Sequence, residues 1–277
     1  MMDLGTRIAE HYTHGALESS ILAGLTETME TTTELAEVDI LGSVDEFHIG
    51  GRPATQAMLD HLELDTSHEV LDIGCGLGGT TRLLATSTGC RVSGIDLTPE
   101  YVEVGNSLNM KLGLAGQIEL NVANALSMPF ENSRFDRATM LHVGMNIEDK
   151  TALFSEISRV MKPGALCGFY DVMRTDSEPL VYPVAWADDE TTSFVASVED
   201  YRASMEANGF EILGVTNKRD VAIKFFEAIK ARVAAGGPPP LGLHIVMGKE
   251  TPVKVANMAT NVAKGSIAPV QIIARRL

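Results

Sequence analysis

One run concentrates the residues that could hold a ligand: Val70-Leu71-Asp72-Ile73-Gly74-Cys75-Gly76-Leu77-Gly78-Gly79, an apolar stretch leading straight into a glycine loop. Glycines at such a turn allow positive φ and let backbone amides approach a ligand without side-chain obstruction. An acidic residue, Asp96, closes Gly94-Ile95-Asp96 twenty positions beyond Gly76. At that spacing a carboxylate can accept hydrogen bonds from ribose hydroxyls, so an adenosine-bearing ligand is expected across the first two strands. Gly74, Gly76 and Gly79 also satisfy the GxGxxG pattern of nicotinamide and flavin binders. Asp72 discriminates, because a carboxylate before the loop repels a pyrophosphate but attracts an ammonium and a sulfonium. S-adenosylmethionine carries both.

If that ligand gives up its methyl group, the transfer is an in-line displacement that needs alignment and exclusion of water, with a base required only for some acceptors. The candidate for that base is His142, just past the fourth expected strand, at the carboxyl edge where open α/β sheets bind ligands. It reads equally as a neutral histidine packed beside the cofactor. Four residues are candidates for acceptor binding. Asn146 could hydrogen-bond an acceptor or satisfy its own turn. Asp171, ending the fifth strand, could orient an amine or bond to loop amides. His48, ahead of Gly50-Gly51-Arg52, could help hold a substrate carboxylate or simply mark a turn into the helix at Pro53. Trp186, the only tryptophan, could face a methylammonium or anchor a loop. His244 has no supporting pattern, and Cys75 serves through its backbone and small size rather than as a nucleophile.

The elements that must position these residues alternate from His68 onward, as in a parallel sheet wound with helices. Expected strands are His68–Ile73, Arg91–Ile95, Ile118–Ala123, Phe135–Leu141 and Ala165–Val172, giving five β/α units in series. Thr98 before Pro99-Glu100 marks a helix start running to about Leu112. Asp149 to Val160 is helical, and Lys162-Pro163-Gly164 separates it from the next strand. Residues 173–194 read as an irregular surface excursion. Phe210–Asn217 and Val270–Arg276 supply the sixth and seventh strands. The expected architecture is an α/β, Rossmann-like, doubly wound seven-stranded sheet with its last strand antiparallel. Residues 1–60 form an N-terminal helical cap, and 61–277 the main domain with a helical lid insertion at about 219–265.

With 22 Lys plus Arg against 37 Asp plus Glu, the net charge is −15, which disfavours nucleic acid and anionic membrane surfaces as partners. No apolar run approaches the length of a bilayer span, and the first residues lack a leader pattern, so a cytoplasmic location is expected. Cys75, Cys90 and Cys167 lack paired spacing and read as free thiols. The seven histidines show no metal-binding signature, so no metal is expected.

VLDIGCGLGG, SGIDLTPEY and FDRATMLHV followed by ISRVMKPGALCGFYDV resemble the motifs of class I S-adenosylmethionine-dependent methyltransferases over roughly residues 48 to 175. FHIGGRPATQAML and HVGMNIEDK are similar to a small-molecule branch: sarcosine and dimethylglycine N-methyltransferases, ubiquinone and sterol C-methyltransferases, and sugar or natural-product O-methyltransferases. The resemblance implies that Gly74, Cys75 and Gly76 lie against the methionine part of the cofactor, with Asp72 near its amino group. It implies that Asp96 holds the ribose, Leu97 packs on adenine, and Leu141 lines the methyl-donor side. Asn124, followed by Ala125, stands where such enzymes place an aspartate that accepts from the adenine amino group; an amide oxygen can accept the same bond. Tyr12, in EHYTHG, resembles an N-terminal tyrosine that closes over the cofactor. The implied activity is methyl transfer from S-adenosylmethionine to a small-molecule acceptor at N, O or C. A dinucleotide-dependent oxidoreductase and a catalytically silent S-adenosylmethionine-binding protein are the alternatives.

Overall fold

Short β-branched and aliphatic runs separated by amphipathic segments fold into a single wound sheet. In the computed structural model, residues 4–13, 15–31 and 37–277 are described. Of the expected N-terminal cap, residues 1–3, 14 and 32–36 lie outside the described residues. The rest of that stretch contains α1 (Leu4–His11), α2 (Leu17–Thr31), α3 (Glu37–Asp45) and α4 (Gly51–Leu59). There follow β1 (Glu69–Ile73), α5 (Gly79–Thr88), β2 (Arg91–Asp96), α6 (Pro99–Lys111), β3 (Ile118–Val122), β4 (Phe135–Leu141), α7 (Lys150–Val160), β5 (Met161–Arg174), α8 (Val198–Ala207) and β6 (Phe210–Asn217). α9 (Arg219–Gly236), α10 (His244–Met247) and α11 (Thr251–Lys264) then precede β7 (Ile267–Arg276).

The strand order is β3-β2-β1-β4-β5-β7-β6, and β7 runs antiparallel to both β5 and β6, as expected. Local chemistry sets the helix starts. Pro99 opens α6 after an extended Thr98. The Asp149 carboxylate accepts from the Ala152 amide at the start of α7, and Ser197 with Asp200 forms a capping box on α8. Two cores cover the sheet. On one face Phe154, Ile157, Tyr201 and Met205 pack on β4, β5 and β7; on the other Met58, Leu62, Leu84 and Val102 pack on β1 and β2.

Two expectations are corrected. β3 passes to β4 through residues 123–134 without a helix, because Asn124, Pro129 and Asn132-Ser133 favour turns there. β5 also begins at Met161, directly off α7, so Lys162-Pro163-Gly164 lies inside the strand. The register jumps from Phe135–Met161 to Arg137–Leu166, and the proline-glycine pair bulges outward with Gly164 at φ 82°.

Candidate active site

The order of strands reverses between β1 and β4, which opens a crevice at their carboxyl ends. The cavity there measures about 1550 Å³ counted out to its open mouth. The glycine loop forms its floor: Gly74, Gly76 and Gly78 take φ of 68°, 53° and 86°, a region closed to most side chains. A Cβ on Gly74 would also lie 2.3 Å from Val143 Cγ2. The Cys75 amide donates to the Ile95 carbonyl, tying the loop to β2. Its thiol is buried, which pushes its pKa well up and fits a packing role.

Asp96 is fixed by the loop it faces, Oδ2 accepting from the Gly76 amide and Oδ1 from the Thr98 amide, both at 2.9 Å. Burial raises its pKa despite these bonds. Asp72 differs. Its Oδ1 accepts from Thr139 Oγ1 at 2.7 Å, while Oδ2 is buried without a partner. Burial, with the neighbouring Glu46 and Asp96 charges, pushes this carboxyl up to about 7. A buried carboxylate oxygen without a donor is costly unless a ligand completes it. S-adenosylmethionine fits that requirement, since its ammonium would meet Asp72, its ribose Asp96, and its carboxylate the amides opening α5, where Thr80 lines the cavity.

All ten residues expected around the cofactor line this cavity: Tyr12, Asp72, Gly74, Cys75, Gly76, Asp96, Leu97, Asn124, Ala125 and Leu141. The Asn124 amide oxygen already accepts from the Leu126 amide at 2.9 Å, leaving one lone pair for a ligand. Tyr12 is held in the wall by its hydroxyl, which donates to Asn146 Oδ1 at 3.3 Å, and by its ring, 5.9 Å from that of Tyr101.

Of the residues expected at the acceptor, His48, His142, Asn146 and Trp186 also line the cavity. Trp186 is anchored by its indole N–H to Ser193 Oγ at 2.9 Å. Asp171 does not line it, which corrects its placement. Alternation along β5 turns Asp171 to the α7/α8 face, where Oδ2 accepts from the Tyr201 hydroxyl at 2.6 Å and Oδ1 from the Val172 amide. Burial lifts this carboxyl to about 6. Arg52 is likewise withdrawn, donating to Asp39, Glu46 and the Val38 carbonyl. His244 is not in the wall.

His142 as a base is also corrected. Its Nδ1 faces the Tyr170 carbonyl at 3.2 Å, which fixes the proton there, and Nε2 then accepts the Ile49 amide proton at 3.3 Å. Both ring nitrogens are engaged. Burial, with the adjacent His48, lowers its pKa to about 3, and burial lowers that of His48 to about 4, so the two rings differ in hydrogen bonding rather than in basicity.

Sequence reasoning missed the far wall, where α9 contributes Phe225, Phe226 and Ile229, α10 Met247, and α11 Val255 and Met258. The Phe225-Phe226 pair was a visible signal, but nothing local tied it to a strand edge 80 residues earlier. It missed Asp45 too, a cavity-lining carboxylate whose Oδ2 pairs with buried Arg82 at 2.7 Å.

Residues 70–164 match the family described as a methyltransferase domain. The match takes in the glycine loop, Asp96 and strands β1 to β4. The chain is similar to Methyltransferase GfsG of Streptomyces halstedii, 25% identical over 178 residues, covering 63% of this chain and 64% of the relative. It is also similar to 24-methylenesterol C-methyltransferase 2 of Oryza sativa subsp. japonica, 33% identical over 120 residues, covering 43% of this chain and 33% of the relative. The chain thus spans less than two thirds of these curated relatives. The likeness of fold extends over nearly the whole chain. Geranyl diphosphate C-methyltransferase from Streptomyces coelicolor A3(2), solved with Mg2+, geranyl-S-thiolodiphosphate and S-adenosyl-L-homocysteine, aligns with a TM-score of 0.67 at 19% identity, covering 96% of this chain and 99% of that one.

Proposed function

We propose that this chain transfers a methyl group from S-adenosylmethionine to a small apolar acceptor that carries no anionic group. The observation that carries the reading is the buried, partnerless Asp72 Oδ2 at a cavity whose opposite wall is apolar. The cofactor supplies a methyl group made electrophilic by positive sulfur. The protein's share is to orient both partners and exclude water: Tyr12 covers the mouth, and Phe225, Phe226 and Met258 give the acceptor a dry surface.

Among the described residues no Lys or Arg lines the cavity, whose titratable wall consists of Asp45, Asp72, Asp96, His48, His142 and two tyrosines with Cys75. Such a wall repels a diphosphate or carboxylate acceptor. An acceptor-sized apolar surface facing the cofactor pocket favours an enzyme over a silent binding protein. We read the enzyme as cytoplasmic and acting without nucleic acid; no described helix is long and apolar enough to cross a membrane.

Calorimetric titration with S-adenosylmethionine, S-adenosylhomocysteine and NAD, with Asp96→Ala as control, tests the reading. Micromolar binding of the two sulfur compounds, lost in the variant and absent for NAD, is the expected result. Binding of NAD alone would overturn it in favour of an oxidoreductase.

A further inference from the structure

Behind the acceptor side of the cavity lies a polar chain that the cofactor pocket does not use. Glu46 and Thr55 are fully enclosed, and His48 lines the cavity in front of them. The Thr55 hydroxyl donates to Glu46 Oε2 at 2.6 Å, and its oxygen lies 2.9 Å from His48 Nε2. His48 Nε2 also lies 3.2 Å from the Gly51 carbonyl, which can only accept. Both neighbours therefore require the proton of neutral His48 to sit on Nε2. Nδ1 then carries the lone pair, and among the described residues it has no hydrogen-bond partner. It is also absent from the side-chain atoms that are both sealed and unpaired, so it keeps some accessible surface, on a residue that lines the cavity. The His48 ring lies 5.9 Å from that of His142, at the end of β4.

Resting on the methyltransferase reading above, we infer that His48 takes the proton of a hydroxyl-bearing acceptor through Nδ1, making this an O-methyltransferase of neutral apolar phenols or enols. The acceptor O–H bond breaks and its proton goes to Nδ1. The oxygen's electron pair forms the new O–C bond, and the C–S bond breaks with its pair left on sulfur. The positive charge lost at sulfur reappears on the imidazolium, whose Nε2–H still faces Thr55 and the Gly51 carbonyl. Glu46 Oε2, 3.6 Å from Nε2, is placed to balance that charge. The proton leaves to water once the cavity opens. His142 cannot substitute, because its lone pair holds the Ile49 amide. An amine acceptor brings its own lone pair and makes no use of this chain.

The full-length protein labelled with 15N and saturated with S-adenosylhomocysteine, titrated with 1-naphthol, tests the geometry by histidine 15N NMR. His48 is expected as the Nε2–H tautomer, and its Nδ1 resonance is expected to move as naphthol binds. In turnover with labelled S-adenosylmethionine, His48→Gln keeps an N–H toward Thr55 but has no Nδ1. It is expected to bind S-adenosylhomocysteine as wild type does and to lose 100-fold or more in transfer to 1-naphthol. Transfer to 1-naphthylamine should fall less than tenfold. An unmoved Nδ1, a wild type inert toward 1-naphthol, or a variant within tenfold of wild type would overturn the inference. Failure of the wild type to bind S-adenosylhomocysteine would instead bring down the methyltransferase reading beneath it.

Discussion

Asp72 and Thr139 are register partners across β1 and β4, and the threonine hydroxyl satisfies only one oxygen of the buried carboxylate. The other is buried without a donor, on a residue that lines the cofactor pocket. Asp72→Asn keeps the shape and removes the charge, so S-adenosylmethionine affinity should fall about 10- to 100-fold, the effect of one charge-assisted hydrogen bond. Titration calorimetry checks this. Equal affinity for wild type and variant would mean that the ammonium lies elsewhere.

The same substitution should stabilise the ligand-free protein, and the pH dependence fixes the sign. Asp72 titrates near 7 when folded against the ordinary carboxylate value near 4 when unfolded. Between those values the folded state holds a proton that the unfolded state has released, so this group's contribution is lost as pH rises from about 4 to 7. Asp72→Asn should match wild type near pH 4 and exceed it by on the order of 4 kcal/mol above pH 7. Denaturant melts at pH 4.5 and 8 measure the difference, and saturating S-adenosylmethionine should narrow it by giving wild-type Asp72 its partner.

Gly74 is constrained twice, by its φ of 68° and by Val143. Gly74→Ala should cost about 2–4 kcal/mol of stability and abolish measurable cofactor binding. Adding Val143→Gly removes the clash but leaves the strained φ. The double variant should therefore recover part of the loss, read by thermal melts beside calorimetry; no recovery would show that φ alone matters.

His142 also has positive φ, 54°, and holds two backbone groups. Asn tolerates that backbone better than a β-branched residue. His142→Asn should cost about 1–2 kcal/mol, mainly from the stranded Ile49 amide, and His142→Val should cost at least about 1 kcal/mol more. Denaturant titration of both variants decides. If Asn and Val were equivalent, the left-handed backbone at this position would not be the controlling feature.

The cofactor side of the site was readable because its chemistry is local. A glycine loop, the aspartate before it and the aspartate ending the next strand all fall within Asp72–Asp96, and parallel pairing of Asp72 with Gly94 brings them together without long-range information. The proposed acceptor side draws on α1, the loop at Trp186 and α9 to α11, whose meeting depends on packing between distant segments. Asp171 was misplaced for a simpler reason. Tyr170 faces His142 and His48 while Asp171 faces Tyr201, and strand alternation alone distinguishes them. The difference between His48 and His142 could not be read in advance, since it rests on which carbonyl, Gly51 or Tyr170, meets which ring nitrogen.

Arg82 joins the N-terminal helices to the sheet domain and supports the cavity from behind. Fully buried in α5, it donates to Asp45 Oδ2 of α3, to Asn109 Oδ1 of α6 and to the Leu77 carbonyl. Arg82→Met would leave the Asp45 carboxylate buried without its cation, at a cost of about 3–5 kcal/mol. Because Asp45 lines the cavity and Gly79 packs on it, cofactor affinity should fall as well. Pairing Arg82→Met with Asp45→Leu removes both charges and should restore most of the stability while leaving affinity impaired. Thermal melts and S-adenosylhomocysteine titration of the two variants separate the effects. Full recovery of both quantities would show that Asp45 serves only to satisfy Arg82.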